Sequence, residues 1–161
     1  MTQDAPLDIT HAIGERLTRL GQTLATAESC SGGLIAHRIT NVPGSSVYFL
    51  GGVVVYSNAA KMDLLNVPET DLAKHGAVSE VVAQRMAEGV RIRFQATYGV
   101  GVTGIAGPSG GSPDKPVGLV YIAVAGAAGT FVTRNVFPGT RQDVKEQTAE
   151  NALNMVLERI A

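Results

Sequence analysis

Cysteine occurs once, as Cys30, and tryptophan is absent. One thiol closes no internal disulfide, so the fold must rest on packing, and a reducing cytoplasm is the expected compartment. With 13 Lys+Arg against 14 Asp+Glu, there is no basic field for nucleic-acid phosphates, and nucleic acid is not an expected partner. Charged residues make up only 17% and aromatics 5%. No apolar run approaches the roughly 20 residues that cross a bilayer, and no signal-peptide pattern opens the chain, so no membrane partner is expected. His11, His37 and His75 are scattered, without a pair at ligand spacing, and neither a metal nor another cofactor is expected. Gly-Lys-Ser and Gly-Lys-Thr are missing, which excludes a Walker phosphate loop.

What is present is enough apolar material for one core: 45% hydrophobic residues in 161, read as a single domain over 1–161. Ile9, Ile13, Leu17 and Leu20 recur at helical spacing over residues 7–20, and Gly21 follows as a stop. A buried strand is predicted over Thr23–Ala27, then a helix from Gly32 to Thr40, which ends before Pro43. A second strand is predicted over 51–57, with Asn58 as the cap of a helix to Leu65. Ser79 is placed to cap a helix through Phe94, whose Val82, Met86, Val90 and Phe94 share a face. A third strand is expected over Thr97–Val102, and Gly118–Ala125 and Thr130–Phe137 are expected to form an antiparallel hairpin. A last helix follows Gly139, with Ala149, Ala152, Leu153, Val156, Leu157 and Ile160 inward. The fold class expected is α/β: a three-layer α/β/α sandwich on a mixed, mostly parallel five-stranded sheet with the hairpin at its C-terminal side.

Ligands of open α/β sheets sit beyond the carboxyl ends of strands. Ser29, Tyr56 and Thr103 each follow such an end in this reading, and one shared pocket is expected. Gly99-Val-Gly-Val-Thr-Gly104 spells a dinucleotide fingerprint, but loop follows it where a helix should begin, so that reading is rejected.

Thr26-Ala-Glu-Ser-Cys-Ser-Gly-Gly33 sets a strand against a hydroxyl- and glycine-rich turn. Ser29 there is either a helix cap or an exposed nucleophile, with Ser31 beside it and the backbone near Gly32 and Gly33 as the expected oxyanion donors. His37 lies about two turns into the next helix, too far along the axis to act as its base. Lys61 serves better, since a place in the first turn of a helix lowers its pKa and burial lowers it further. The alternative is a solvated lysine. Tyr56 is expected to relay the proton or hold the amine. Arg141 begins the last helix, where a cation is disfavoured unless an anion such as phosphate lies nearby, and the Thr103–Gly111 loop, Gly104 included, offers further donors. Cys30 is either a second nucleophile candidate or a small buried residue.

These blocks, with His75-Gly-Ala-Val-Ser79 and Lys115-Pro-Val-Gly118, resemble the CinA carboxy-terminal domain family over almost the whole chain. The resemblance implies a nicotinamide-nucleotide amidase that converts nicotinamide mononucleotide to nicotinate mononucleotide and ammonia; the alternative is a non-catalytic phosphate-ligand binding or regulatory module linked to competence or DNA damage. The resemblance places Ser29 as nucleophile, Lys61 as general base and Tyr56 as helper, with Thr103 and Arg141 around the substrate. The partner expected is therefore a small nucleotide; separately, a homo-oligomer, a dimer first, is an open alternative to a monomer. Many family proteins add an amino-terminal domain resembling molybdopterin-binding proteins, associated with ADP-ribose pyrophosphatase activity. That domain is not in this sequence, so amidase without pyrophosphatase activity is the expectation.

Overall fold

The computed structural model describes residues 8–160, so residue 7, where the first helix is predicted to start, lies outside the described residues. Helix α1 covers Ile9–Leu20, and Gly21 ends it at φ 64°, a left-handed conformation open to glycine without steric cost. Ile13 and Leu17 are buried, whereas Leu20, predicted for the same stripe, is 43% exposed at the last turn. Strand β1 (Leu24–Glu28) is buried on both faces, and helix α2 follows at Leu34–Thr40. A 3-10 turn at Ser45–Val47 leads into strand β2, Phe49–Val54.

Two local expectations fail here. Strand β2 stops at Val54, and the cap of helix α3 (Asn58–Leu65) is Ser57, whose hydroxyl accepts from Ala60 N at 3.1 Å. Asn58 becomes the first helical residue. Helix α4, Glu69–His75, has no counterpart in the prediction because only Leu72 of its seven residues is buried, too little for a periodic stripe. Ser79 does cap helix α5, Glu80–Phe94, and Val82, Met86 and Val90 are buried along it. Strand β3 (Tyr98–Gly104) runs longer than predicted and takes in Thr103. Strands β4 (Leu119–Gly126) and β5 (Gly129–Val136) pair antiparallel, Gly126 opposite Gly129. Helix α6, Arg141–Arg159, completes the chain. A reciprocal bond pair starts it: Thr140 Oγ1 accepts from Asp143 N, and Asp143 accepts from Thr140 N.

The sheet order is β2-β1-β3-β4-β5. Strands β2, β1 and β3 are parallel neighbours, and β4 runs against both β3 and β5, so the sheet is mixed with one reversed strand. One face carries α1, α2 and α6 over Val100, Val102, Val120, Ile122 and Val124. The other carries α3, α4 and α5 over Ala25 and Ala27. This is the three-layer sandwich, with the carboxyl ends of three parallel strands side by side.

Gly99 and Gly101 explain the rejected fingerprint. They lie beneath α5, where a Cβ at Gly101 would stand 2.5 Å from Ala83 O and from Ala87 N. These glycines bring a helix onto a strand; they cradle no phosphate. No helix among the described residues is long and apolar enough to cross a membrane.

Candidate active site

Ser29 directly follows β1, where its N–H donates to Val102 O of β3 at 3.0 Å and fixes the turn to the neighbouring strand. Lys61 reaches it from the first turn of α3. Its Nζ lies 3.0 Å from Ser29 Oγ, 2.8 Å from Val55 O and 3.4 Å from Tyr56 O. The lysine is 1% exposed and the serine 8%.

Every hydrogen-bond partner of this buried ammonium is neutral, so desolvation is uncompensated and lowers the Lys61 pKa from the ordinary 10.5; the Cys30 thiol opposes the shift weakly. Charged, Nζ donates to all three oxygens. Neutral, it keeps two N–H bonds, which match the carbonyls of Val55 and Tyr56, and its lone pair is left facing Ser29 Oγ. That is the arrangement a general base for serine requires.

Both residues line a cavity of about 270 Å³ together with Cys30, Tyr56, Asn58, Ala77, Thr103, Gly104 and Arg141. A more open groove of about 680 Å³ between α1 and the 3-10 turn is larger but contains no paired nucleophile and base. Size therefore does not locate the chemistry.

Tyr56 does not meet the lysine through its side chain. The residue is 63% exposed, and its phenol oxygen accepts from Arg141 Nη2 at 2.8 Å, so only its carbonyl faces Nζ. Arg141 also donates from Nη1 to Gly107 O at 2.8 Å. Thr103 lies on the cavity wall, but its hydroxyl donates to Ala77 O at 2.8 Å. Lys115 Nζ donates to His75 O at 2.7 Å, so the His75–Ala77 segment is held from two sides. Gly104 leaves room for the β4 backbone: a Cβ there would lie 2.6 Å from Leu119 O.

Ser31, Gly32 and Gly33 are a correction: none of them lines the cavity. Three donors at the start of α2, the Ser31 hydroxyl and the N–H groups of Ile35 and Ala36, are taken by a residue that sequence reasoning left without a role. Glu28, 1% exposed, accepts from Ser31 Oγ at 2.7 Å and Ile35 N at 2.9 Å through Oε1, and from Ala36 N at 3.1 Å through Oε2. The positive end of the helix thus holds the protein's own carboxylate. Gly32 N donates back to Ser29 O at 3.1 Å. The signal for this was an acid ending a strand that is otherwise apolar or small.

Cys30 belongs to the core beneath the serine. Burial, aided by the charge of Glu28, pushes its thiol up to about 12 against weaker opposing effects, so no thiolate forms near neutral pH.

This fold is shared with proteins already described. The chain belongs to the CinA C-terminal domain family, whose model matches residues 7–160. It is 52% identical to a CinA-like protein of Koribacter versatilis over 92% of this chain and 36% of that protein. Against a CinA-like protein of Acaryochloris marina the identity is 58% over 73% of this chain and 28% of the relative. The chain thus spans about a third of the length of these curated relatives. Among solved structures, the competence/damage inducible protein CihA from Agrobacterium tumefaciens superposes with a TM-score of 0.91 at 41% identity, covering 93% of this chain and 92% of that one. A CinA superfamily protein from Enterobacter cloacae gives 0.91 at 30% identity, covering 100% and 99%.

Proposed function

We propose that this site hydrolyses the carboxamide of nicotinamide mononucleotide by a serine–lysine amidase mechanism. The observation that carries the reading is the 3.0 Å approach of Lys61 Nζ to Ser29 Oγ, with the lysine buried among neutral acceptors. Neutral Lys61 takes the hydroxyl proton as Oγ bonds to the carboxamide carbon. The oxyanion lies against the backbone of Cys30, the residue after the nucleophile, whose N–H donates to no other described residue. The tetrahedral intermediate collapses as the Lys61 ammonium returns its proton to the leaving nitrogen, which departs as ammonia. Water, deprotonated by the same amine, then cleaves the acyl ester, releases nicotinate mononucleotide and restores Ser29.

Arg141 supplies charge at the exposed side of the cavity, where the 5′-phosphate is anchored. Two of its N–H groups are held by Gly107 and Tyr56, which orients the guanidinium and leaves the rest for the anion.

The test is ammonia release from nicotinamide mononucleotide by the purified protein, beside Ser29→Ala and Lys61→Ala variants verified as folded by circular dichroism. Turnover lost in both variants supports the reading. A parent protein that binds the nucleotide without releasing ammonia replaces it with a phosphate-ligand binding or regulatory module.

A further inference from the structure

Asn58 is the one cavity-lining residue whose position in the helix differs from expectation, and the difference frees its side chain. Ser57 caps α3, so the Asn58 carboxamide is not consumed as a cap, and it has no hydrogen-bond partner among the described residues. It nevertheless faces the cavity. Lys61 follows three residues later on the same helix, so their Cβ atoms lie about 5–6 Å apart on one face.

The cavity also has a direction. Ser29 and Lys61 are buried at its closed end, and Tyr56, bound to Arg141, is exposed at the other. Asn58 falls between Tyr56 and Lys61 in the chain. Asn58 lines the same cavity as Ser29 and Arg141, so a substrate with its carboxamide on Ser29 and its phosphate at Arg141 has the group that joins them within the space that Asn58 borders. In a pyridine nucleotide the joining group is a ribose, and its vicinal hydroxyls need both donors and an acceptor. A carboxamide side chain carries two N–H donors and one oxygen acceptor.

We propose that Asn58 is a specificity-determining residue that hydrogen-bonds the ribose hydroxyls of the substrate. The inference rests on the amidase reading above. Ser109 is another polar side chain on the wall, but it belongs to the glycine-rich loop, whereas the Asn58 backbone is fixed in the first turn of a capped helix.

A kinetic cycle tests the proposal on the full chain. Parent and Asn58→Ala proteins are assayed on nicotinamide mononucleotide and on its 2′-deoxy and 3′-deoxy analogues. Asn58→Ala is expected to raise KM for the natural nucleotide about tenfold with kcat within twofold, as for lost binding that is uniform along the reaction. At least one analogue should cost the parent a similar factor and cost the variant little more, because the partner is already gone. Ser57→Ala, which weakens the helix start without touching the carboxamide, should lower stability and keep the discrimination between sugars. A parent-like KM in Asn58→Ala, or losses that simply multiply, overturns the proposal. If the parent protein shows no turnover, the amidase reading fails on its own. Nucleotide affinity measured by calorimetry for Ser29→Ala with and without Asn58→Ala then decides the inference: a tenfold weakening sustains it, and equal or absent binding overturns it.

Discussion

The phenol oxygen of Tyr56 accepts a 2.8 Å hydrogen bond from Nη2 of Arg141. The tyrosine thus stands with the cation at the open side of the cavity, and its hydroxyl is directed away from the proton path between Ser29 and Lys61. Tyr56→Phe should therefore raise KM for the phosphorylated substrate about 2- to 10-fold, the worth of one hydrogen bond, and leave kcat nearly unchanged. Arg141→Lys should not restore what Arg141→Ala removes, because an ammonium cannot hold the phenol, the Gly107 carbonyl and an anion in one plane. Steady-state kinetics decide it: a kcat for Tyr56→Phe reduced 100-fold at constant KM would return the tyrosine to the proton path.

The lowered pKa of Lys61 has two signatures of known sign. Activity should rise with pH as the buried ammonium loses its proton, and Lys61→Arg should be inactive throughout because a guanidinium keeps its proton. Stability should rise in the same direction. Between the lowered folded value and the ordinary 10.5 of the unfolded chain, the unfolded state binds the extra proton. The cost is complete below the folded value and gone above 10.5. Chemical denaturation across alkaline pH should show this rise in the parent and its loss in Lys61→Met.

Glu28→Ala leaves Ser31 Oγ and the N–H groups of Ile35 and Ala36 without their acceptor. The expected cost is about 2–4 kcal/mol, measured as a lower denaturation midpoint at unchanged m-value. Glu28→Gln should recover part of it, since the amide oxygen replaces one carboxylate oxygen while the NH2 group opposes the remaining donor. A midpoint unmoved by Glu28→Ala would remove the carboxylate from the support of the serine turn.

Cys30→Ala should retain turnover, and the parent thiol should resist iodoacetamide in the folded protein at neutral pH, where a thiol pushed up to about 12 is protonated. Rapid alkylation of the native protein with loss of activity would contradict that.

Much of the architecture was legible because the helices and strands differ plainly in period. Val82, Met86 and Val90 announce α5, and the apolar run around β1 announces a buried strand. Ser29 was legible as a residue at a strand end and Lys61 as one in the first turn of a helix, but a solvated lysine stayed open in the sequence because its burial is decided by packing. Contacts decided by three-dimensional competition were not legible. Ser57 and Asn58 are both good caps, and only the end of β2 at Val54 selects the serine. The hydroxyl of Ser31 and the N–H groups beginning α2 resemble a ligand site until Glu28 folds onto them. The phenol of Tyr56 depends on an arginine 85 residues away, and no local pattern reports such a distance.

The close seating of α5 on Gly99 and Gly101 makes the helix and strand β3 behave as one stiff beam. Ala77 hangs just ahead of that helix, Thr103 lies at the end of the strand, and their 2.8 Å hydrogen bond ties the two free ends together. This wall of the cavity is therefore tied together at the end that faces Ser29. The opposite side carries the exposed residues, where Tyr56 is latched to Arg141 and Arg141 in turn to Gly107 of the glycine-rich loop, so substrate entering there must pass two hydrogen bonds rather than a packed strand.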